Sequence, residues 1–307
     1  MEQFHALLIA SYGRHYLAQR LTADADGCES PSGPLIQVST PAKQHIGAVG
    51  DRMLLEMTSA DQARIIQIEP RENLLYRSDA FKSKLIASNV DQILVVLATQ
   101  PAFSPDLLGR AVVAAEANQI GLHILLNKCD LKDNLEHARK IIAPYARMGY
   151  QVSEVSAKFD PASIDSLRTA LQGKVSVFVG QSGMGKSSLL NAWIPNAAAL
   201  TQEYSVRLDT GKHTTTAAHL YHLDSESDLI DSPGLQEFGL NHLSLEQLEY
   251  AFIEFRPYLG KCRFNNCKHI HEPDCAVMNA VHAGKISATR LAAYQELSQE
   301  IDRPEYA

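Results

Sequence analysis

The stretch that most constrains this chain lies past its midpoint, where a short apolar run leads directly into a glycine-rich turn. Val175–Val179 has the composition of a buried strand, and the turn after it reads Gly-Gln-Ser-Gly-Met-Gly-Lys-Ser-Ser from Gly180 to Ser188. A strand, such a turn and a helix in this order surround a phosphate with backbone N–H groups. A chance glycine turn is the alternative, but its flanking pattern favours the phosphate loop. The sequence therefore predicts an α/β domain with a mostly parallel sheet.

A second polar motif lies upstream, at the end of another apolar run. Leu122–Leu126 leads into Asn127-Lys128-Cys129-Asp130. A carboxylate such as that of Asp130 accepts hydrogen bonds from guanine N1–H and the exocyclic N2 amine together, and adenine would leave it unpaired. Asn127 is placed to bond the purine edge and to tie this loop to the phosphate loop, while the stem of Lys128 can cover the base or ribose. The two motifs together predict a guanine-nucleotide site.

The order of the two motifs is unusual. In most GTP-binding domains the phosphate loop comes first, whereas here Asn127 precedes Gly180, so we expect a circularly permuted domain. A third loop, Ser156-Ala157-Lys158, follows the next predicted strand and would bring backbone amides to guanine O6. The predicted nucleotide-contacting residues are Asn127, Lys128, Cys129, Asp130, Ser156, Ala157, Lys158, Gly180, Gln181, Ser182, Gly183, Met184, Gly185, Lys186, Ser187, Ser188 and Gly234.

Two further segments supply candidate ligands for Mg²⁺ bound with GTP. The polar run Gly211–Thr216 could place a threonine hydroxyl, from Thr215 or Thr216, beside Ser187 and Asp231 in the ion's shell. The choice between the two threonines stays open, and a plain polar loop is the alternative. Such a loop would be released when the γ-phosphate is lost.

The catalytic group is harder to place. Asp231-Ser232-Pro233-Gly234 ends a predicted strand, and the Gly234 amide would bond the γ-phosphate. Leu235 follows where a Ras-like protein carries its water-orienting glutamine, and leucine cannot orient water. We therefore expect a low intrinsic rate. Lys186 would stabilise the phosphates, and the missing group would come from a partner or from His213, which is otherwise an exposed histidine.

The N-terminal part has a different pattern. Short strand-like pieces separated by turn residues fill it, and they are Ala6–Ala10, Tyr16–Leu21, Leu35–Ser39, Arg52–Met57 and Arg64–Ile68. Five short strands predict a small β-barrel, and the OB-fold is the commonest such barrel that binds oligonucleotides. A purely structural β domain is the alternative.

Cysteines cluster near the C-terminus. Cys262, Cys267, His269 and Cys275 form a complete tetrahedral set for one structural Zn²⁺, with His271 as the second choice for the imidazole. The remaining cysteines, Cys28 and Cys129, are expected to be free thiols. Basic residues near the cluster form either a local RNA-contacting patch or an ordinary solvated face, and they are Arg256, Lys261, Arg263 and Lys268.

Composition excludes several classes. The 307-residue chain has a net charge of -7, so RNA contact would have to come from local patches rather than from a global field. No apolar run approaches the ~20 residues that cross a bilayer, and no secretory signal is visible. We expect a monomer located in the cytoplasm, with no membrane contact.

Taken together, the permuted order, the Gly180–Ser188 loop, Gly211–Thr216, Asp231–Gly234 and the zinc pattern closely resemble the small ribosomal subunit biogenesis GTPases of the RsgA (YjeQ/YloQ) family. The resemblance implies an OB-fold β-barrel over residues 1–72, a circularly permuted GTPase domain over 73–240 and a mostly helical zinc-binding domain over 241–307. It also implies GTP hydrolysis during late maturation of the 30S subunit, stimulated by that particle, with 16S rRNA contacts from the flanking domains. Met184 stands where valine is more usual, and Ser232 where threonine is.

Two other interpretations stay open from the sequence. Leu235 makes a non-catalytic, GTP-dependent RNA-binding module conceivable, and an ATP-dependent phosphate-loop enzyme is a third possibility that Asp130 argues against. If the chain is a GTPase, the segment after Gly234 connects directly to the cysteine cluster, so we expect it to move with the γ-phosphate and to reorient the zinc domain.

Overall fold

The structure is a computed structural model that describes residues 2–12, 15–23, 29–40, 46–79, 82–195, 197, 218–232 and 240–301. Its strands are numbered β1 to β13 and its helices α1 to α7 along these ranges. Most of the strands belong to a single eleven-stranded sheet.

The N-terminal part is a closed five-stranded barrel, as the sequence predicts. Its strands are β1 (Gln3–Tyr12), β2 (His15–Ala23), β3 (Glu29–Ser39), β4 (Arg52–Met57) and β5 (Gln62–Ile68). They pair in the order β1-β2-β3-β5-β4, and β4 returns to pair with β1. Among the described strand pairs of the barrel, β3 and β5 run parallel and the others run antiparallel. Alternate residues point inward, so large apolar side chains such as Leu8, Tyr16 and Met53 are fully buried in the barrel.

A hairpin that the sequence did not predict follows the barrel. β6 (Leu74–Asp79) and β7 (Lys82–Ser88) form a separate two-stranded sheet. Its base is held by the barrel, because Val49 bridges Ala87 and the Ser88 hydroxyl donates to the Asp51 carboxylate at 2.7 Å. Charged residues interrupt the apolar alternation of this stretch, which removes the usual signal for strands.

The central domain is the predicted α/β sheet. Its strands are β8 (Gln92–Ala98), β9 (Gly121–Asn127), β10 (Gln151–Glu154), β11 (Val175–Val179), β12 (Ala218–His222) and β13 (Asp228–Asp231). They lie in the order β10-β9-β8-β11-β13-β12, and all neighbouring pairs are parallel except β12 with β13. Every residue of β8 is buried, as expected for a parallel strand covered on both faces. The connecting helices are α1 (Pro105–Ala117), α2 (Leu135–Arg147), α3 (Pro161–Leu171) and α4 (Lys186–Trp193).

The barrel and the central sheet are joined edge to edge. β12 pairs antiparallel with β1, with Ala10 opposite His219. The buried Tyr12 hydroxyl lies 2.5 Å from His219 Nε2 across this junction. The two domains therefore share a continuous hydrogen-bonded sheet.

The C-terminal part is mostly helical. It contains α5 (Leu245–Ala251), a 3-10 turn (Arg256–Tyr258), α6 (Ala276–His282) and α7 (Ala288–Ile301). The helix that begins at Leu245 ends at Ala251, because the backbone leaves helical geometry at Phe252 (φ -84°, ψ 89°). The break lets Phe252 and Phe255 pack on Tyr294, with ring centroids 5.4 and 5.2 Å away.

The C-terminal helices pack on the central domain through α1. Both α5 and α7 contact that helix. Arg110 of α1 bonds the Glu300 carboxylate with two nitrogens, at 2.9 and 2.5 Å. Helix α1 therefore begins beside the phosphate loop and packs against the C-terminal helices.

Candidate nucleotide site and metal centre

The phosphate loop lies where β11 ends, directly before α4. Gly185 has φ +96°, and a Cβ added there would lie 2.2 Å from the side-chain nitrogen of Asn127. Position 185 therefore requires glycine for two reasons, its left-handed backbone conformation and the close approach of the neighbouring loop. The Gln181 side chain accepts a 2.8 Å hydrogen bond from the Ser104 amide, which anchors the loop to the start of α1.

Asn127 joins three loops. Its side-chain nitrogen donates to the Met184 carbonyl at 3.0 Å, and its Oδ1 accepts from the amides of Lys128 at 2.8 Å and Ala157 at 3.1 Å. The side chain is only 2% exposed. Two motifs that lie more than fifty residues apart in sequence are therefore held in one fixed arrangement at the carboxyl ends of the strands, where ligands of parallel sheets bind.

Lys128 crosses from the same loop to the phosphate loop. Its Nζ donates to the carbonyl oxygens of Gly183 at 2.6 Å and Gln100 at 2.8 Å. Its backbone has φ +60°, and the Thr99 hydroxyl holds its carbonyl at 2.9 Å. Because both ends are fixed, the methylene stem forms a wall between the two loops.

Asp130 is exposed at the outer end of this arrangement. The buried Ser156 hydroxyl donates to Asp130 Oδ1, which orients the carboxylate. The Ser156 and Ala157 amides also have protein partners, the Ser163 hydroxyl at 3.3 Å and Asn127 Oδ1. An oriented, accessible carboxylate is the acceptor that an N1–H and N2 amine pair requires.

Lys186 and Asp231 form the charged centre beneath the phosphate loop. Lys186 Nζ donates to the carbonyls of Gly180 and of Gln181, the latter at 2.9 Å. Burial lowers the pKa of Lys186 and raises that of Asp231, and each group's charge opposes the shift of the other. Among the described residues, none offers a hydrogen bond to the buried Asp231 Oδ1. A hard oxygen without a partner, next to an anion-binding loop, fits a Mg²⁺ ion with its water shell.

Several predicted site residues fall outside the described ranges. They are His213, Thr215, Thr216 and Gly234, together with Leu235 and Cys28. Ser187 is described and lies exposed in the first turn of α4. Cys129 is a free thiol whose side chain faces the Leu126 carbonyl at 3.1 Å, and burial raises its pKa to about 11.

The structure brings the four predicted metal ligands together. Cys262, Cys267, His269 and Cys275 have ligand atoms that all lie within 4.8 Å of one another. His269 Nδ1 is 3.7, 3.5 and 3.2 Å from the three sulfurs in that order. A tetrahedral Zn²⁺ site would separate its sulfurs by ~3.8 Å and its sulfur and nitrogen by ~3.5 Å. The cluster can hold a metal ion, and the donor set suits zinc, whereas His271 is exposed outside the cluster.

Glu272 is a residue that the sequence analysis missed. Its carboxylate accepts hydrogen bonds from the amides of Lys268 at 2.8 Å, Ile270 at 2.9 Å and His271 at 3.0 Å. Burial acts to raise its pKa, but these N–H donors outweigh burial and lower the pKa to about 2. The carboxylate therefore organises the loop between two metal ligands, and a lone Glu among polar residues gave no sequence signal for this.

Ion pairs occupy part of the predicted basic patch. Arg256 pairs with Glu116 at 2.6 Å and lies over the Tyr250 ring, and Arg263 pairs with Asp274 at 3.1 Å. Lys261 and Lys268 are exposed. The patch therefore carries less uncompensated charge than the sequence indicates. Across the described residues, none of the helices combines the length and apolarity that a membrane crossing needs.

Comparison with known proteins agrees with this arrangement. The family model of the RsgA GTPase matches residues 68–241. Two curated relatives named small ribosomal subunit biogenesis GTPase RsgA are similar over nearly the whole chain. That of Burkholderia mallei (strain SAVP1) is 51% identical over 97% of this chain and 93% of its own length. That of Paraburkholderia phytofirmans is 52% identical over 96% and 92%.

Solved structures match over the full fold. YjeQ from Thermotoga maritima has a TM-score of 0.71 and 27% identity, covering 99% of this chain and 100% of its own. YloQ, described as a circularly permuted GTPase, has a TM-score of 0.68 and 29% identity, covering 99% and 98%. Because the family model spans more than half of the chain and the relatives match it almost end to end, the chain belongs to the RsgA GTPase family of circularly permuted GTP hydrolases.

Proposed function

We propose that this chain hydrolyses GTP as a factor in late maturation of the 30S ribosomal subunit, acting as a monomer in the cytoplasm. The observation that carries the proposal is the position of Asn127, which fixes the Asp130 loop and the phosphate loop as one pocket in permuted order. The names of the curated relatives supply the small ribosomal subunit as the partner.

In this proposal the pocket reads guanine at one end and holds phosphates at the other. Asp130, oriented by Ser156, accepts from guanine N1–H and N2, and the Lys128 stem covers one face of the nucleotide. The amides of the Gly180–Ser188 loop bind the β-phosphate, and α4 directs its N-terminus at the anion. Adenine would leave the Asp130 carboxylate unpaired, so GTP and GDP are preferred over ATP.

Magnesium and catalysis are assigned to the same end of the sheet. Ser187, Asp231 and either Thr215 or Thr216 would hold Mg²⁺, which neutralises charge on the β- and γ-phosphates. Lys186 must leave the carbonyls of Gly180 and Gln181 for the phosphate oxygens, a short movement for a flexible side chain. We assign to His213 the role of positioning the attacking water. The alternative is that the ribosomal particle supplies the water-positioning group.

We propose three domains with divided roles, a barrel over 1–72, the GTPase over 73–240 and a zinc domain over 241–307. The two outer domains would contact 16S rRNA. The barrel's described arginines are already paired with carboxylates, Arg20 with Glu2 at 2.6 Å and Arg64 with Glu56 among them. We therefore expect RNA binding to depend on the shape of the particle more than on general attraction to phosphate.

The test is turnover of GTP by the full chain, measured with and without purified 30S subunits, with ATP as competitor. The proposal expects slow intrinsic turnover, stimulation by 30S subunits and no inhibition by ATP. GTP binding without any stimulated turnover would instead favour a non-catalytic, GTP-dependent RNA-binding module. Preference for ATP would reject the assignment of the pocket.

A further inference from the structure

The metal cluster touches α5 through one polar side chain. His269 turns its Nδ1 toward the three cysteine sulfurs, so its other ring nitrogen, Nε2, points away from them. Nε2 is buried and, among the described residues, has no hydrogen-bond acceptor within normal distance. A buried N–H without an acceptor is costly, so this atom requires an explanation.

Glu249 lies opposite that nitrogen. Its Oε1 is 3.7 Å from His269 Nε2, which is within ion-pair distance and a few tenths of an ångström beyond a hydrogen bond. The Tyr294 hydroxyl donates to the same oxygen at 3.3 Å, which holds the carboxylate on this side. Of the described carboxylates, Glu249 is the one that lies near Nε2, at 3.7 Å.

The surroundings fix the imidazole in this orientation. The rings of Phe255 and Tyr294 lie 6.0 and 5.9 Å from the imidazole centre. Gln295 donates to the His269 carbonyl at 2.9 Å, and the His269 backbone adopts φ +56°. The ring therefore has little freedom to turn Nε2 toward another acceptor.

We propose that Glu249 is the positioning residue of the metal centre, accepting the Nε2–H of His269 and thereby fixing Nδ1 as the ligand nitrogen. A carboxylate on the outer nitrogen raises the basicity of a metal-bound imidazole and sets its tautomer. The inference rests on the proposed Zn²⁺ site and adds a residue from another element to it. Because Glu249 belongs to α5, the contact also fastens that helix to the cysteine cluster.

The test measures Zn²⁺ affinity of the full chain by competition with a chromogenic chelator. Glu249→Leu keeps the side chain's approximate size and removes the acceptor, and we expect its affinity to fall about 10-fold to 100-fold. Glu249→Gln retains an acceptor oxygen and should lose only a few-fold. Glu246→Leu is the matched control, because Glu246 is exposed on the same helix, and its affinity should equal that of the wild type.

A second readout separates positioning from general destabilisation. In the zinc-loaded wild type, ¹⁵N-labelled histidine should show a slowly exchanging, downfield proton on Nε2 of His269. We expect Glu249→Leu to lose this signal and Glu249→Gln to keep it at a shifted position.

The possible failures are distinguishable. A wild-type chain that takes up no Zn²⁺ would reject the metal centre itself. A wild-type chain that binds Zn²⁺ while Glu249→Leu binds equally well, or while Nε2 carries no protected proton, would reject only the role of Glu249. Equal losses in Glu249→Leu and Glu246→Leu would show a nonspecific effect of α5 and would also overturn the proposal.

Discussion

Asn127 offers the sharpest structural prediction, because its amide holds the two halves of the nucleotide pocket together. The change Asn127→Ala removes three hydrogen bonds at 2.8 to 3.1 Å from a side chain that is 2% exposed. At about 1 kcal/mol for each bond the arrangement loses about 3 kcal/mol. We expect roughly half of this to appear in binding, because the nucleotide must then impose an arrangement that the free protein no longer holds.

That share, about 1.5 kcal/mol, corresponds to a GTP affinity about 10-fold weaker. The assay is isothermal titration calorimetry with GTP and GDP, and both ligands should be affected because both need base and phosphate loops in register. Asn118→Ala is the control. Asn118 is the residue directly after α1, and its side chain donates one hydrogen bond, to the Ala114 carbonyl at 2.8 Å. Wild-type affinity in Asn127→Ala would show that this side chain does not hold the two halves of the pocket together.

Three further predictions follow from other parts of the molecule. Removing the metal with a strong chelator should raise hydrogen exchange across residues 256–275, because the ligand loop loses its cation. Glu272→Ala should raise exchange over the same residues, because the loop loses the carboxylate that organises it. Unchanged exchange in both experiments would contradict the metal centre's structural role. Burial lowers the pKa of His123 to about 4 from the model-compound value 6.5, so the unfolded chain binds more protons and the free energy of unfolding should fall as pH drops from about 6.5 toward 4. Denaturant unfolding at several pH values checks this, and His123→Gln should flatten the dependence; an identical slope in the variant would assign the effect elsewhere. Finally, exchange over residues 240–275 should differ between GTP-analogue and GDP complexes if the nucleotide state reorients the zinc domain, and identical protection would reject that coupling.

Patterns that depend on neighbouring residues were predictable from the sequence. The apolar composition of Val175–Val179, broken only by Ser176, predicted a buried strand, and its bounds match those of β11. Glycine, lysine and serine spacing predicted the phosphate loop between strand and helix for the same reason. The cysteine spacing likewise identified the residues that the structure gathers in one cluster.

Features that depend on residues far apart in sequence were not predictable. The hairpin of β6 and β7 is anchored by Asp51 and Val49 of the barrel. No local sequence pattern predicts these two contacts. The edge pairing of β1 with β12 joins residues more than two hundred positions apart. The break after α5 accompanies the packing of Phe252 on Tyr294, and the roles of Glu249 and Glu272 depend on their position beside the metal cluster.

We expect Asp130 to recognise guanine while the Gly180–Ser188 loop holds the phosphates of the same nucleotide. Asp130→Asn tests it most directly, because asparagine keeps the Oδ1 acceptor for Ser156 while replacing one acceptor of the purine edge with a donor. We predict that calorimetry shows GTP affinity lower by about 100-fold or more, and that xanthosine triphosphate, which carries an oxygen in place of the N2 amine, binds more tightly than GTP. Undiminished GTP binding by this variant, with no gain for xanthosine triphosphate, would contradict the claim.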